Sequence, residues 1–506
     1  MSNWFTQLFR FLGGDNQPTP PEAKAPPKVS AEPATPTTPA NVSTPHRQLR
    51  KPQRPRAPTP KSAATPGRDI GYLIVVGLDF GTAYTKCVIR DALVRDPGKA
   101  YPVPFELAGG WSYLVPSVVV RQQTNLASAF DGPLDGANER IDYLKMRLVS
   151  ELDQQRAGAW RDGETAGEMQ VLVAWFIAQV LARVGLEIRR RWPDYGSHLS
   201  DECFINICVP IAHADGSMVE QCLLDALCAA RNAVGPGGAQ APTVAQIRIN
   251  LSDETKLRQA RSHCYTYPET SANLQSYLKS RARRPGLYLF ADVGAGTVDL
   301  SFFQLLEDTG KDAPLLYYHA AVLDAGSSRL ELKAKTADPE LLLSELIAAK
   351  EGHVRRPNNR ILRALTAARK TVHDEVGLGV GNGVTVTEAK LHLNRYNQLT
   401  QMRNVKMMHA GGGYALDPYG HALRFFHKHR QWGDEPPLHS LPVPDDLVWS
   451  TKGKQIPFTR LSVAYGLAFA RYELDGHRFP SEMAVNPDIT GPEPVERPTA
   501  PTMDEV

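Results

Sequence analysis

The sequence predicts an α/β protein made of two similar halves that face one cleft. Residues 73–86 (L-I-V-V-G-L-D-F-G-T-A-Y-T-K) and residues 287–300 (L-Y-L-F-A-D-V-G-A-G-T-V-D-L) repeat one pattern. Each is an apolar, β-rich run ending in Asp, followed by a turn with Gly and Thr. The copies lie roughly two hundred residues apart, about one subdomain each. Around each copy, strand-like runs alternate with helix-like ones, which is the α/β pattern.

The elements follow in order. After Asp79 a second β-rich run centres on Cys87-Val88-Ile89, and another strand is expected over 113–120. Residues 165–192 carry a long helical pattern, with apolar positions from Val171 to Ile188. Residues 204–211 (F-I-N-I-C-V-P-I) read as a buried strand and 218–230 as a helix. Strands are expected at 300–305 and 315–323. Helices are expected at 338–350 and 360–375, the second ending near a Gly-rich turn at 377–383.

The repeated pattern suits phosphate chemistry. A strand carries Asp79 or Asp292 to its end, where the carboxylate can face hydrated Mg²⁺. The small residues that follow let backbone N–H groups approach phosphate oxygens, and the Thr hydroxyl adds a donor. Two such hairpins across a cleft can clamp one polyphosphate.

Charge is unevenly spread. The 506 residues hold 57 Lys and Arg against 54 Asp and Glu, a net +3. Residues 1–68 contribute 10 basic and 3 acidic residues, or +7, so the remainder carries −4. A near-neutral body of this kind gives no ground for specific nucleic-acid binding. The six cysteines form no C-x-x-C pair and read as small buried hydrophobes in a reducing compartment. No apolar run is expected to span a membrane, and no signal peptide is evident, so the expected location is cytoplasmic.

Residues 1–16 hold Trp4, Phe5, Leu8, Phe9, Phe11 and Leu12 at helical spacing, an amphipathic docking helix. Residues 17–68 should be a disordered, basic, proline-rich linker, with 14 of the 40 prolines in 18–66. The helix would then dock at a distance, on a protein partner or peripherally on a membrane surface. Residues 477–506 read as a disordered tail.

Five ordered motifs carry a resemblance over nearly all of 72–475. G-L-D-F-G-T-A-Y-T-K and D-V-G-A-G-T-V-D-L-S resemble the two phosphate loops of the actin-like ATPase superfamily. F-I-N-I-C-V-P-I-A-H-A-D resembles its connecting strand, A-G-G-G-Y at 410–414 its nucleoside-backing glycines, and S-V-A-Y-G-L-A-F-A at 462–470 its closing helix. The whole is most similar to the nucleotide-binding domain of the seventy-kilodalton, DnaK-like heat-shock chaperones.

The resemblance implies two duplicated ribonuclease-H-like lobes, at 69–285 and 286–476. It implies ATP and Mg²⁺ as cofactors, with Asp79 and Asp292 holding the metal through water. Gly81, Thr82, Ala83, Gly294, Ala295, Gly296 and Thr297 would cradle phosphates. Lys145 would approach the γ-phosphate, and Asp299 would help place the attacking water. Arg369 and Lys370 would flank adenine, while Gly411, Gly412 and Gly413 would back the nucleoside. Lys86 matches the phosphate-contacting lysine of actin and leans toward filament-forming relatives.

The chain also departs from the family. Ala83 and Ala295 replace a hydroxyl residue and a glycine. Y-P-E-T-S-A stands where the chaperones have N-E-P-T-A-A, so either Tyr267 or Glu269 occupies the position of the catalytic glutamate. Slow hydrolysis is therefore expected. No peptide-binding β-sandwich is expected after the last motif. The implied function is a slow, Mg-dependent ATPase that acts as a switch for a partner protein. The alternatives are a filament-forming or membrane-linked scaffold ATPase, and a catalytically weak interaction platform.

Overall fold

The computed structural model describes residues 71–93, 98–122, 125–132, 134, 139–156, 167–235, 242–307, 315–391, 401–416, 418–429 and 436–483. All belong to one unit, Ala64–Val506. The docking helix, the linker and most of the expected tail lie outside the described residues.

The protein is α/β, with two six-stranded sheets at its centre. The first contains β1 (Leu73–Phe80), β2 (Tyr84–Asp91), β3 (Tyr101–Pro102), β4 (Glu202–Val209) and β5 (Cys264–Pro268), in the order β5-β4-β1-β2-β3. A short piece, Val115–Pro116, also pairs with β2. The second contains β6 (Gly286–Val293), β7 (Val298–Leu305), β8 (Leu315–Leu323), β9 (Lys406–Ala410), β10 (Leu438–Ser440) and β11 (His477–Arg478), in the order β10-β9-β6-β7-β8-β11.

The two sheets share one wiring. In the first, β1 runs antiparallel to β2 and parallel to β4, which is parallel to β5. In the second, β6 runs antiparallel to β7 and parallel to β9, which is parallel to β10. The third strand of each half, β3 or β8, continues antiparallel. The sequence repeat is thus a repeat of sheet topology.

Alternation along the central strands decides which way each aspartate points. Ile74, Val76, Leu78 and Phe80 of β1 enter one hydrophobic core with helices α1 (Leu144–Arg156), α2 (Glu168–Arg191) and α3 (Met218–Val234). Helices α4 (Val244–Ser252) and α5 (Glu254–Ala260) close that core through Ile247 and Leu257. Period two places Asp79 on the opposite face, with Gly77. In β6, Leu287, Leu289, Ala291 and Val293 enter a second core, whereas Tyr288 and Phe290 enter a third. Asp292 lies on the Tyr288 face.

Between these inward faces lie two helices, α6 (Glu269–Leu278) and, last in the chain, α11 (Ser462–Leu467). They approach with backbone against backbone: a Cβ at Gly466 would fall 1.9 Å from the Ala272 carbonyl oxygen. Likewise, a Cβ at Gly77 of β1 would fall 2.1 Å from the Ala464 carbonyl oxygen. Asn206 of β4 donates to the Leu467 and Phe469 carbonyls at 2.7 and 3.0 Å, satisfying the end of α11.

The rest of the second half is helical: α7 (Arg329–Ala337), α8 (Leu343–Lys350), α9 (Asn359–Lys390) and α10 (Tyr419–His429). Here α9 differs from expectation, since it runs through the glycines at 377–383 to Lys390. Two of these glycines, Gly379 and Gly383, are there for contact. A Cβ at Gly379 would meet Leu323 at 2.5 Å, and one at Gly383 would meet Phe302 at 2.5 Å. The helix lies so close to the sheet that side chains at these turns would collide, and this outweighs the entropic cost of helical glycine.

Three other expectations change. The strand over 113–120 is broken: Val115–Pro116 pairs with β2, and the Ser117 N–H bonds the Ala83 carbonyl at 2.9 Å before the chain leaves that sheet. Val119–Gln122 then joins a separate small sheet with Asn125–Ala127 and Glu139–Ile141. The body also passes residue 476, because His477 and Arg478 pair with Leu315 and Leu316. Finally, α2 is long and apolar enough to cross a membrane, although 89% of its most apolar window is buried in the protein.

Candidate functional site

Both Asp-Gly-Thr turns open into one cavity of about 1620 Å³. Hairpin register builds its floor. Asp79 pairs across the ladder with Lys86, seven residues on, and Asp292 pairs with Asp299, also seven residues on. Directly opposed residues project to the same face of a sheet. The first hairpin therefore sets a cation beside its aspartate, at 2.5 Å from Lys86 Nζ to Asp79 Oδ2. The second sets two carboxylates side by side.

Glu269 and Lys145 complete the floor. Glu269 begins α6 immediately after Pro268, where the chain leaves β5. Its carboxylate accepts from Lys145 Nζ at 2.7 Å, with both side chains nearly buried. Lys145 is the second residue of α1. Just before it, Tyr143 is the one non-glycine residue with positive φ (59°) among the described residues.

This choice of register separates the two residues between which sequence reading left the glutamate position open. Glu269 lines the cavity. Tyr267 instead sends its hydroxyl to the Asp475 carbonyl at 2.8 Å.

The acids outnumber the ammonium groups on the floor. Among the described residues, Asp79, Asp292, Asp299 and Glu269 face the two ammonium groups of Lys86 and Lys145, and the buried Asp299 Oδ1 has no hydrogen-bond partner. Burial, then the charge of Glu269, pushes the Asp292 carboxyl up to about 7. The same causes in the same order raise Asp299 well above the carboxylate range. Burial also raises Asp79, although Lys86 opposes the shift. For Lys145 burial works against the charge, but Cys208, Glu269 and Asp299 outweigh it and the ammonium is held more firmly.

The turns show why small residues are needed. A Cβ at Gly81 would lie 2.5 Å from the Tyr84 carbonyl oxygen. One at Gly296 would lie 2.2 Å from Met146 Sδ and 2.8 Å from Thr82 Cγ2, so the second turn packs against the first turn and α1. The N–H groups of Gly326, Ser327 and Ser328 bond the carbonyls of Gly296, Gly294 and Ala295. Ala295 adopts no positive φ, so the turn accommodates its methyl group. Gly411 does have positive φ (+84°), and a Cβ there would be 2.4 Å from Asp292 Oδ1.

Asp79, Gly81, Thr82, Ala83, Lys86, Lys145, Glu269, Asp292, Gly294, Ala295, Thr297, Asp299, Gly411, Gly412 and Gly413 all line the cavity. Gly296 sits behind it, against Met146. Arg369 and Lys370 do not line it. They flank the buried Ala364–Ala368–Val372 stripe of α9, and Lys370 borders a shallow outer groove with Leu362 and Thr366. Glu331 of α7 and Lys350 of α8 line the cavity instead, as a buried ion pair at 2.8 Å.

Neither a protein-family model nor a curated protein sequence matches this chain.

Sequence reading missed three further participants. Asn273 of α6 donates to Asp292 Oδ2 at 2.6 Å and accepts from Ser462 Oγ of α11 at 2.5 Å, joining both helices to the floor. Its position four residues after Glu269, one helical turn, was the available signal. Cys208 donates its thiol toward Asp79 Oδ1 at 3.8 Å, and Asp79, Cys208 and Glu269 offer ligand atoms within 4.8 Å of one another. Arg460, in the turn before α11, reaches the cavity wall.

Proposed function

We propose that residues 72–475 form an ATP-binding domain of the actin-like ATPase superfamily, similar to that of the DnaK-like chaperones. In this reading it is a slow, Mg-dependent ATPase and a nucleotide switch for a partner protein. The observation that carries the reading is the paired wiring of the sheets. Two identically connected sheets each deliver one Asp-Gly-Thr turn to a single cavity, as two ribonuclease-H-like lobes around a nucleotide would.

The acidic floor suits Mg²⁺. Mg²⁺ takes oxygen ligands and keeps several waters, and the unpartnered Asp299 oxygen and the excess of carboxylates offer such a site. Asp79 and Asp292 would hold its water shell, and the metal would supply charge neutralisation on the phosphates. Lys145, beside Glu269 on the floor, would neutralise developing negative charge. Glu269, held by Lys145, and Asp299 would orient a water for in-line attack. The buried Lys145–Glu269 pair commits both groups to each other, which supports slow unaided turnover.

Titration calorimetry and phosphate release with Mg·ATP test the reading. Wild type should bind, and Asp79→Ala or Asp292→Ala should weaken Mg-dependent affinity or turnover at least tenfold. Wild-type behaviour in both variants would remove the assignment. The actin-like Lys86–Asp79 pair favours a second reading, a nucleotide-dependent filament. Polymers appearing only with ATP in negative-stain microscopy would select it.

A further inference from the structure

The cations that line the cavity are nearly all committed to protein groups. Lys86 pairs with Asp79, Lys145 with Glu269, Lys350 with Glu331, Arg329 with Asp324 and Arg140 with Asp142. Arg147 donates to the Asp142 carbonyl at 2.9 Å. Arg460 differs. Its guanidinium makes no hydrogen bond or ion pair among the described residues, and it lines the same cavity.

Its placement is specific. Arg460 ends the short turn Phe458–Arg460, and its neighbour Thr459 accepts from the Gly411 N–H at 3.1 Å. The arginine stem runs along Gly412, where a Cβ would lie 3.0 Å from Arg460 Nε. The guanidinium carbon lies 5.4 Å from the centroid of Tyr84, one residue beyond the first Gly-Thr-Ala turn. The free cation is therefore fixed between the glycine run of one half and the phosphate-type turn of the other.

We propose that Arg460 binds the phosphate chain of the nucleotide. The proposal rests on the reading of the cleft as a nucleotide site. A planar guanidinium offers paired donors that match phosphate oxygens, and such charge-assisted bonds are among the strongest available. Without an anion, the group only packs on Tyr84. With one, it closes the charge balance on the wall opposite the acidic floor.

Calorimetry with Mg·ATP, Mg·ADP and adenosine tests it on wild type, Arg460→Gln and Arg460→Lys, each first checked for an unchanged melting temperature. Glutamine keeps much of the stem and removes the charge. Arg460→Gln should weaken Mg·ATP and Mg·ADP roughly 10- to 100-fold and leave adenosine unchanged, with partial recovery in Arg460→Lys. Unaltered Mg·ATP affinity in Arg460→Gln would overturn this proposal alone. Equal weakening of adenosine would also overturn it, by making Arg460 a packing residue for the nucleoside. A wild-type protein that binds neither nucleotide would overturn the nucleotide reading and this proposal together.

Discussion

Asp299 stands directly across the antiparallel ladder from Asp292, in the register where Lys86 faces Asp79. One hairpin thus balances its buried carboxylate and the other doubles it. The doubled pair makes the ligand-free protein sensitive to pH. A carboxyl raised in the folded state contributes stability that is complete below its unfolded value and is lost as pH rises through its folded value, about 7 for Asp292. The wild-type melting temperature should fall relative to Asp292→Asn as pH rises from about 4 to about 7, and run parallel to it above that. Mg²⁺ and nucleotide, which need the ionised form, should bind more tightly over the same interval. Melting temperatures that run parallel below about pH 7 as well would contradict the assignment.

Lys145 and Glu269 should separate binding from chemistry. Glu269→Gln keeps the side-chain size and removes the charge that orients water. Phosphate release should drop roughly 100-fold while Mg·ATP affinity changes little. An unchanged rate would place the water-orienting group elsewhere, with Asp299 the next to test.

The glycines of α9 should behave oppositely by position. Gly383 has Phe302 and His319 where a methyl would go, and Gly383→Ala should cost about 1–3 kcal/mol in denaturant unfolding. Gly381 has nothing within 4 Å of a Cβ, and Gly381→Ala should stabilise by up to about 1 kcal/mol. Equal effects at both positions would mean that helix propensity rather than the sheet contact governs them.

Deleting residues 1–16 should leave the melting temperature and Mg·ATP affinity unchanged and abolish either liposome co-sedimentation or recovery of a bound partner. Those residues carry six large apolar side chains ahead of a proline-rich stretch. A loss of several degrees on deletion would make the segment part of the folded body.

Much of the floor was legible because it is local. The seven-residue offsets Asp79–Lys86 and Asp292–Asp299 follow from hairpin pairing, and period two decides the face. The apolar strands are also local signals. What escaped depends on distant parts of the chain. The basic pair Arg369–Lys370 looked like a base-flanking motif, but the rotation of α9 on its sheet turned it away from the cavity. Glu331 and Lys350 meet only because two helices pack together. The glycines at 377–383 resemble a helix stop because the sheet that Gly379 and Gly383 press against is invisible in their own sequence. The break within 113–120 escaped because the chain changes sheets there, and a continuous apolar run carries no signal of that.

The contact between Gly466 and Ala272 has a mechanical consequence. Backbone meets backbone at this one point, and the Asn273–Ser462 hydrogen bond beside it holds the two helices at that spacing. Glu269 lies three residues before this point on α6, and Arg460 lies six residues before it on the approach to α11. A methyl group at position 466 would push the two helices apart and move Glu269 relative to Arg460. Gly466 thus works as a spacer: the side chain it lacks sets how near the acidic floor and the guanidinium stand.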